Sequence, residues 1–581
     1  MSKKHPTLPI TRQPALSVNN EETGEDNLIQ TAIAGPSTAH PPQPKRFCPL
    51  RTQNILQYFH KPLPLKKQKE IDRQLVVMIA KEYHPFSIVE DKEFIKFIHL
   101  LNPSYKLPTR KTVSASLIPA TYDEIHKTVK IRLNRAFAIC LTTDGWTSRS
   151  NDSFYSVTAH YIVEDEKNTY LASDLLGCVS YTERHTGENI ANKITCMLAE
   201  WDINNKITAV VTDNAANMKL AVRIGSWRHW GCFAHSLNLV TQSGLKEIQE
   251  VLDKIKVIVR FFHKSSHAYS KLKETQERME LPILKLKNDV PTRWNSTYAM
   301  IHRVLETKNA LISTLALLNV SLATSDEQIP LLTSEEWTIV EQSMQILQMF
   351  DVVTTTLSAE SKVTVSSLII YYRELSKHLK SFNGSNLKPE VENLVKKLLS
   401  ELNRRFGDME DNELISQSTI LDPRFKKFGF INAEKYKKAV QKLYHKIANT
   451  RVTNVNSTIY EQVNNDDFTA DAPKTKKDNP LDILWKDFDS EIQMHTKPRN
   501  ALAAAIVELD KYLDEPILPR QDSEGVSQDP LLWCHQRRYI YPRLYQIVKT
   551  RLCVMATSVP CERIFSHAGQ TVNEKRERLT T

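Results

Sequence analysis

Asp144 and Asp213 each close an apolar, β-prone run, Cys140-Leu141-Thr142-Thr143 before the first and Val210-Val211-Thr212 before the second. Gly145 and Asn214, both turn-forming residues, follow directly. Carboxylates delivered from neighbouring strand ends are what two-cation phosphodiester chemistry requires. One cation activates water and the other stabilises the leaving oxygen, about 3.5–4 Å away. Mg²⁺ suits such a site, because it takes few carboxylates, keeps several waters and lets substrate oxygens complete its shell. A third carboxylate, Glu562, follows Pro560, where a helix is expected to start. Each aspartate also reads as an ordinary turn residue, and Glu562 as an acid favoured by the helix dipole. Spacing alone does not connect Glu562 with Asp213, 349 residues upstream (562 − 213).

Two further groups carry chemistry by type. Cys232 and His235 stand at C-x-x-H spacing, on one face if the segment is helical. Two ligands without a second pair do not make a zinc site, so no zinc is expected. Arg293 and Trp294 are adjacent in Pro291-Thr292-Arg293-Trp294-Asn295-Ser296. The arginine could clamp a phosphate and the tryptophan stack on an unpaired base. The competing reading makes Trp294 a core residue of a helical region.

The elements that must position these groups follow from periodicity. Residues 1–67 are rich in Pro, Thr, Ser and Asn and predict a disordered tail. Its basic clusters, Pro44-Lys45-Arg46 and Lys61 to Lys69, read equally as a nuclear-import signal or as solvated linker. Gln53 to Phe59 is an apolar island that would dock on a partner or on the body. Helical spacing over 68–130 predicts a module for DNA binding or dimerisation. Strands are expected at 136–143, 154–163 and 170–181, then a helix at 188–201 and a central strand at 207–212. That is an α/β opening, filling 131–245. Helical periodicity dominates 246–529, with disordered loops expected near 452–481 and 518–529. A final block runs from 530 to 581.

Composition narrows the class. The 581 residues suggest several domains, and 13 glycines fall well below the usual share of about 7%, which favours long helices. The net charge of +10 permits a nucleic-acid partner without showing one. None of the eight cysteines forms a C-x-x-C pair, as expected in a reducing compartment. No run of about 18 apolar residues occurs, so no membrane partner is expected.

Six ordered motifs resemble the hAT superfamily of DNA transposases, particularly the relatives domesticated with BED-type zinc fingers. They are Leu141 to Ser148, Val211 to Met218, Cys232 to Leu239, Asp289 to Ser296, Leu421 to Phe425, and Thr557 to Gly569. The resemblance implies an RNase H-like catalytic domain split by a long helical insertion, with a helical N-terminal module. It implies Asp144, Asp213 and Glu562 as ligands of Mg²⁺ or Mn²⁺, His235 near the scissile phosphate with Cys232 as a second candidate there, and Trp294 on a flipped base. It also implies C-terminal dimerisation through 530–581. Two departures stand out. Cys48 is the only cysteine before Cys140, so a BED finger is not expected, and the chain stops soon after Leu579, as a truncated copy would. Cys561 stands where serine is more usual.

The expected function is therefore that of a nuclear, dimeric, double-stranded-DNA-binding protein of transposase descent, with an Asp-Asp-Glu site for metal-dependent cleavage and strand transfer. The alternative is a domesticated, catalytically silent DNA-binding regulator or scaffold. A nuclease unrelated to transposition would explain the strands but not the helical insertion.

Overall fold

A computed structural model describes residues 63–148, 151–165, 168–321, 329–450, 485, 488 and 500–571. Readings that fall on residues 1–62, on 452–481 or beyond 571 lie outside them. The first described helix, Leu65–Lys81, begins inside the basic cluster and takes Lys66 and Lys67 into its first turn. Helices Lys92–Leu101 and Ile118–Arg135 follow. Leu75 and Ile79 of the first helix form a small core with Val89 and Val113 from the connecting segments, against which Phe94 and Ile118 of the other two pack, separate from the other two cores.

The sheet has five strands, β1 (Ile139–Thr147), β2 (Ser153–Glu164), β3 (Thr169–Ser180), β4 (Ile207–Thr212) and β5 (His229–Gly231), in the order β3-β2-β1-β4-β5. β1, β2 and β3 form an antiparallel meander, while β4 and β5 run parallel to β1. A mixed sheet of this kind needs a helix to return the chain before each parallel strand. Helix Gly187–Trp201 does so before β4, capped by Thr186 and burying Ile190, Ile194, Met197, Leu198 and Trp201. Helix Ala216–Ile224 does so before β5.

Two features differ from the strand pattern read in the sequence. β1 does not end at Asp144, because its hairpin partner β2 carries it on to Thr147, pairing Asp144 with Ser156. β5 has three residues and no alternation to reveal it. Both faces of the sheet are buried. Ile139, Leu141, Val157 and Val210 pack with the flanking helices. Cys140, Ala209 and Val211 belong to the core of the helical body, which extends through helices such as Ser334–Leu357 and Pro389–Phe406. β2 is therefore buried on both sides even though its side chains alternate.

The 518–529 stretch is ordered, contrary to its loop composition. Gln521 and Ser527 form an antiparallel bridge, Asp522 accepts the Glu524 and Val526 amides, and Gly525 turns the chain at φ +81°. In the Leu421-Asp422-Pro423-Arg424 motif, Asp422 is fully buried and neutralised by Arg424 at 2.7 Å and the Ser366 hydroxyl at 2.6 Å. That is a structural charge pair, since an unpaired carboxylate there would be very costly. Among the described residues no helix is long and apolar enough to cross a membrane.

Candidate active site

The parallel pairing of β1 with β4 ends at Thr142 opposite Val211. Two residues further on each strand come Asp144 and Asp213, so the two carboxylates leave the same sheet end at the same level. Asn214 then turns the chain in the left-handed region at φ 72°. Its side chain donates to Ser236 Oγ at 3.3 Å and lies against Gly231, where a Cβ would meet its Oδ1 at 2.2 Å. Gly231 thus lets the Asn214 side chain approach the backbone closely. Gly231→Ala is expected to cost about 1–3 kcal/mol through this overlap, read by chemical denaturation.

Glu562 arrives from the other end of the chain on helix Val559–Thr571. Cys561, fully buried, holds that helix to the sheet, with Sγ 3.3 Å from Thr142 Oγ1 and 3.8 Å from Thr158 Oγ1. Burial pushes its thiol up to about 12, so it stays protonated and acts as a small packed group. Phe565 stacks on Trp146 at 5.9 Å between ring centres. Arg563 ties the same helix to the helical body through Glu360 at 2.6 Å and the Ser358 carbonyl at 2.7 Å. Just upstream, the Ala556 carbonyl accepts the Phe233 amide, and the Ser558 amide donates to Cys232 Sγ at 3.2 Å.

Asp144 reports the convergence. Its carboxyl is pushed up to about 7, first by burial and then by the charges of Asp213 and Glu562. The Gly145 amide, donating at 2.8 Å, only partly opposes this. Yet among the described residues no three acidic, His or Cys side chains close into a group that could hold a cation. Asp213 accepts the Ala215 amide at 3.0 Å, and Glu562 Oε2 accepts from Arg293 Nη2 at 3.0 Å. With 63% of the Arg293 side chain and 41% of Glu562 exposed, that ion pair adds about 0–1 kcal/mol. It is easily exchanged.

The remaining expectations divide. Arg293 meets one of the three carboxylates, Glu562. His235 lies in the first turn of helix Phe233–Leu245, partly exposed, and among the described residues its ring hydrogen-bonds to none of the three. Cys232 is not a ligand partner for it. It is buried, its thiol is raised by burial, and it caps the helix by accepting the His235 amide at 3.4 Å. Trp294 is 1% exposed within the core of the helical body, so it offers no face to a base. Its Nε1 is buried without a hydrogen-bond partner among the described residues. Sequence reasoning missed the anchoring roles of Cys561 and Gly231, because their partners lie 419 residues away (561 − 142) and in a turn whose shape no local pattern encodes.

Residues 508–581 match the C-terminal dimerisation region of the hAT family. Residues 142–224 match the ZBED1 RNase-like domain and 230–346 the ZBED1 RNase-like helical domain. The chain is a relative of the hAT transposases. This hAT relative is 28% identical over 534 residues to a putative AC transposase of Zea mays, covering 87% of the chain and 63% of that protein. It is 23% identical to zinc finger BED domain-containing protein 4 of Homo sapiens, covering 95% of the chain and 46% of that protein. It is 24% identical to zinc finger BED domain-containing protein RICESLEEPER 1 of Oryza sativa subsp. japonica, covering 85% of the chain and 70% of that protein. The hAT relative therefore spans less than two thirds of the maize transposase and about half of the human protein.

Proposed function

We propose that this transposase-derived chain is a nuclear protein that binds double-stranded DNA as a homodimer and cleaves it at an Asp-Asp-Glu site in an RNase H-like domain. The observation that carries the reading is the parallel pairing of β1 with β4, which brings Asp144 and Asp213 to one sheet end, where the helix bearing Glu562 packs through Cys561 against Thr142. The three oxygen donors do not close into a cation-holding group as they stand, and once Glu562 leaves Arg293 a divalent cation would relieve their repulsion. Asp144, Asp213 and Glu562 would hold Mg²⁺ or Mn²⁺, which activates water and stabilises the leaving oxygen in phosphodiester cleavage. Arg293, released from Glu562, is placed to take a backbone phosphate. The order β3-β2-β1-β4-β5 and the return of Glu562 after a helical insertion support the RNase H-like reading. The matched dimerisation region supports self-association.

A second reading is a catalytically silent DNA-binding regulator or scaffold. It is favoured by the Arg293–Glu562 pair, which engages the third carboxylate. Purified protein given DNA ends with its element's terminal repeats should nick or hairpin them in Mg²⁺, and Asp213→Asn should abolish the products. DNA binding without cleavage by well-folded protein would leave the silent reading standing and remove the catalytic one.

A further inference from the structure

A second cluster of charge lies away from the three carboxylates. Arg228 stands just before β5, and its carbonyl accepts the Val210 amide, so it marks the end of the β4–β5 pair opposite Asp213. Glu413 opens helix Glu413–Leu421, Lys446 belongs to helix Ala433–Ala448, and Arg551 ends helix Pro542–Arg551. The three cations converge on the one carboxylate. Arg228 Nη2 lies 3.6 Å from Glu413 Oε2, while Arg551 Nη2 and Lys446 Nζ lie 3.4 and 3.9 Å from Oε1. Fully made charge-assisted contacts are about 2.7–2.9 Å long, so none of the three closes on Glu413. Arg551 is 3% exposed, whereas Arg228, Lys446 and Glu413 each keep more than a third of the side chain open to solvent. Burial and then the Arg228 charge hold Arg551 down to about 10, and burial and then Arg551 lower Lys446. The cluster therefore carries a surplus of two positive charges (3 − 1). It also lacks an acceptor. Gln417 Oε1 accepts from Arg551 Nε at 2.9 Å, yet Nε2 of the same carboxamide is buried with no hydrogen-bond partner among the described residues. A buried donor left unpaired is costly, and so is a buried charge only partly compensated. One bound oxyanion would meet both needs.

We propose that Arg228, Lys446, Arg551 and Gln417 form a binding site for a phosphate dianion, either free phosphate or a phosphomonoester. The surplus charge matches a dianion, and forked guanidinium donors suit phosphate oxygens. A duplex backbone offers one charge per phosphate and is too broad to reach the buried Arg551. Glu413 competes with the ligand for the same cations. The bound anion would tie the start of β5 and the helical body to the matched dimerisation region, in which Arg551 lies. The site is independent of the three carboxylates and of any cation there. Isothermal titration calorimetry of the full chain tests it, with sodium phosphate, glycerol 3-phosphate and a blunt duplex without terminal phosphates, each in chloride buffer at constant ionic strength. Wild type should bind phosphate or the monoester, and the tighter of the two identifies the source. Arg228→Gln and Lys446→Gln should each weaken that binding at least about tenfold. Glu413→Gln, which removes the competing charge, should tighten it, a gain that misfolding cannot produce. No binding of either anion by wild type, or equal affinities across wild type and all three variants, would overturn the site. Displacement of phosphate by the duplex, lost in the Arg228 and Lys446 variants, would overturn the dianion in favour of a backbone phosphate.

Discussion

Asp144→Asn is expected to stabilise the cation-free protein at pH 7.5 by about 2–4 kcal/mol, with the gain shrinking as pH falls from about 7 towards 4. The folded state holds this carboxyl near 7, against 3.8 for an unperturbed aspartate, because burial, Asp213 and Glu562 all disfavour its charge. A folded value above the unfolded one means that the contribution is fully present below about pH 4. It is lost as pH rises through the folded value near 7. Above that pH the wild-type protein carries a charge that folding penalises and asparagine lacks. The side-chain amide oxygen of asparagine still accepts the Gly145 amide, so no hydrogen bond is lost in exchange. Chemical denaturation of both proteins across pH 4–8 measures the difference. Adding Mg²⁺ or Mn²⁺ should raise wild-type stability and close the gap. A pH-independent difference would show that the folded state does not raise the Asp144 carboxyl.

Trp294→Ala is expected to destabilise the chain by about 3–5 kcal/mol without any DNA present. The side chain is among the largest fully buried ones, packed within the helical body and edge-on to Tyr298 at 6.0 Å. A tryptophan held ready for a flipped base would be replaceable by alanine with little change in stability and a loss confined to DNA binding. The two accounts therefore differ in an unfolding curve taken on free protein. An unchanged midpoint would return Trp294 to the DNA interface.

Much of the first half of the fold is written locally. β4 begins and ends where its apolar run does, because a strand buried on both faces needs an unbroken run of such residues. Helix Gly187–Trp201 shows its buried face in the spacing of Ile190, Ile194, Met197, Leu198 and Trp201. The end of β1 was not legible, since Asp144-Gly145 has the composition of a turn, and only pairing with β2 extends the strand through it. The order in 518–529 was hidden for a similar reason. Its turn-forming residues are satisfied by one another rather than by a periodic element.

The candidate site divides along the same line. Asp144 and Asp213 could be paired from sequence, because both follow runs that had to be neighbouring strands for the aspartates to matter. Glu562 could be joined to them only through resemblance to known transposases, since no period or spacing spans the intervening helices. What joins them physically is packing between distant segments: Cys561 against Thr142, Phe565 against Trp146, and Arg563 against Glu360. The sequence by itself determined residue types, the strands and helices that carry them, and the order of the family's motifs. Tertiary structure alone decided that Trp294 and Cys232 are buried, that Arg293 meets Glu562, and that Asp144 feels two other charges. Burial and electrostatics depend on what lies within a few ångströms, and in this chain those neighbours come from segments hundreds of residues apart.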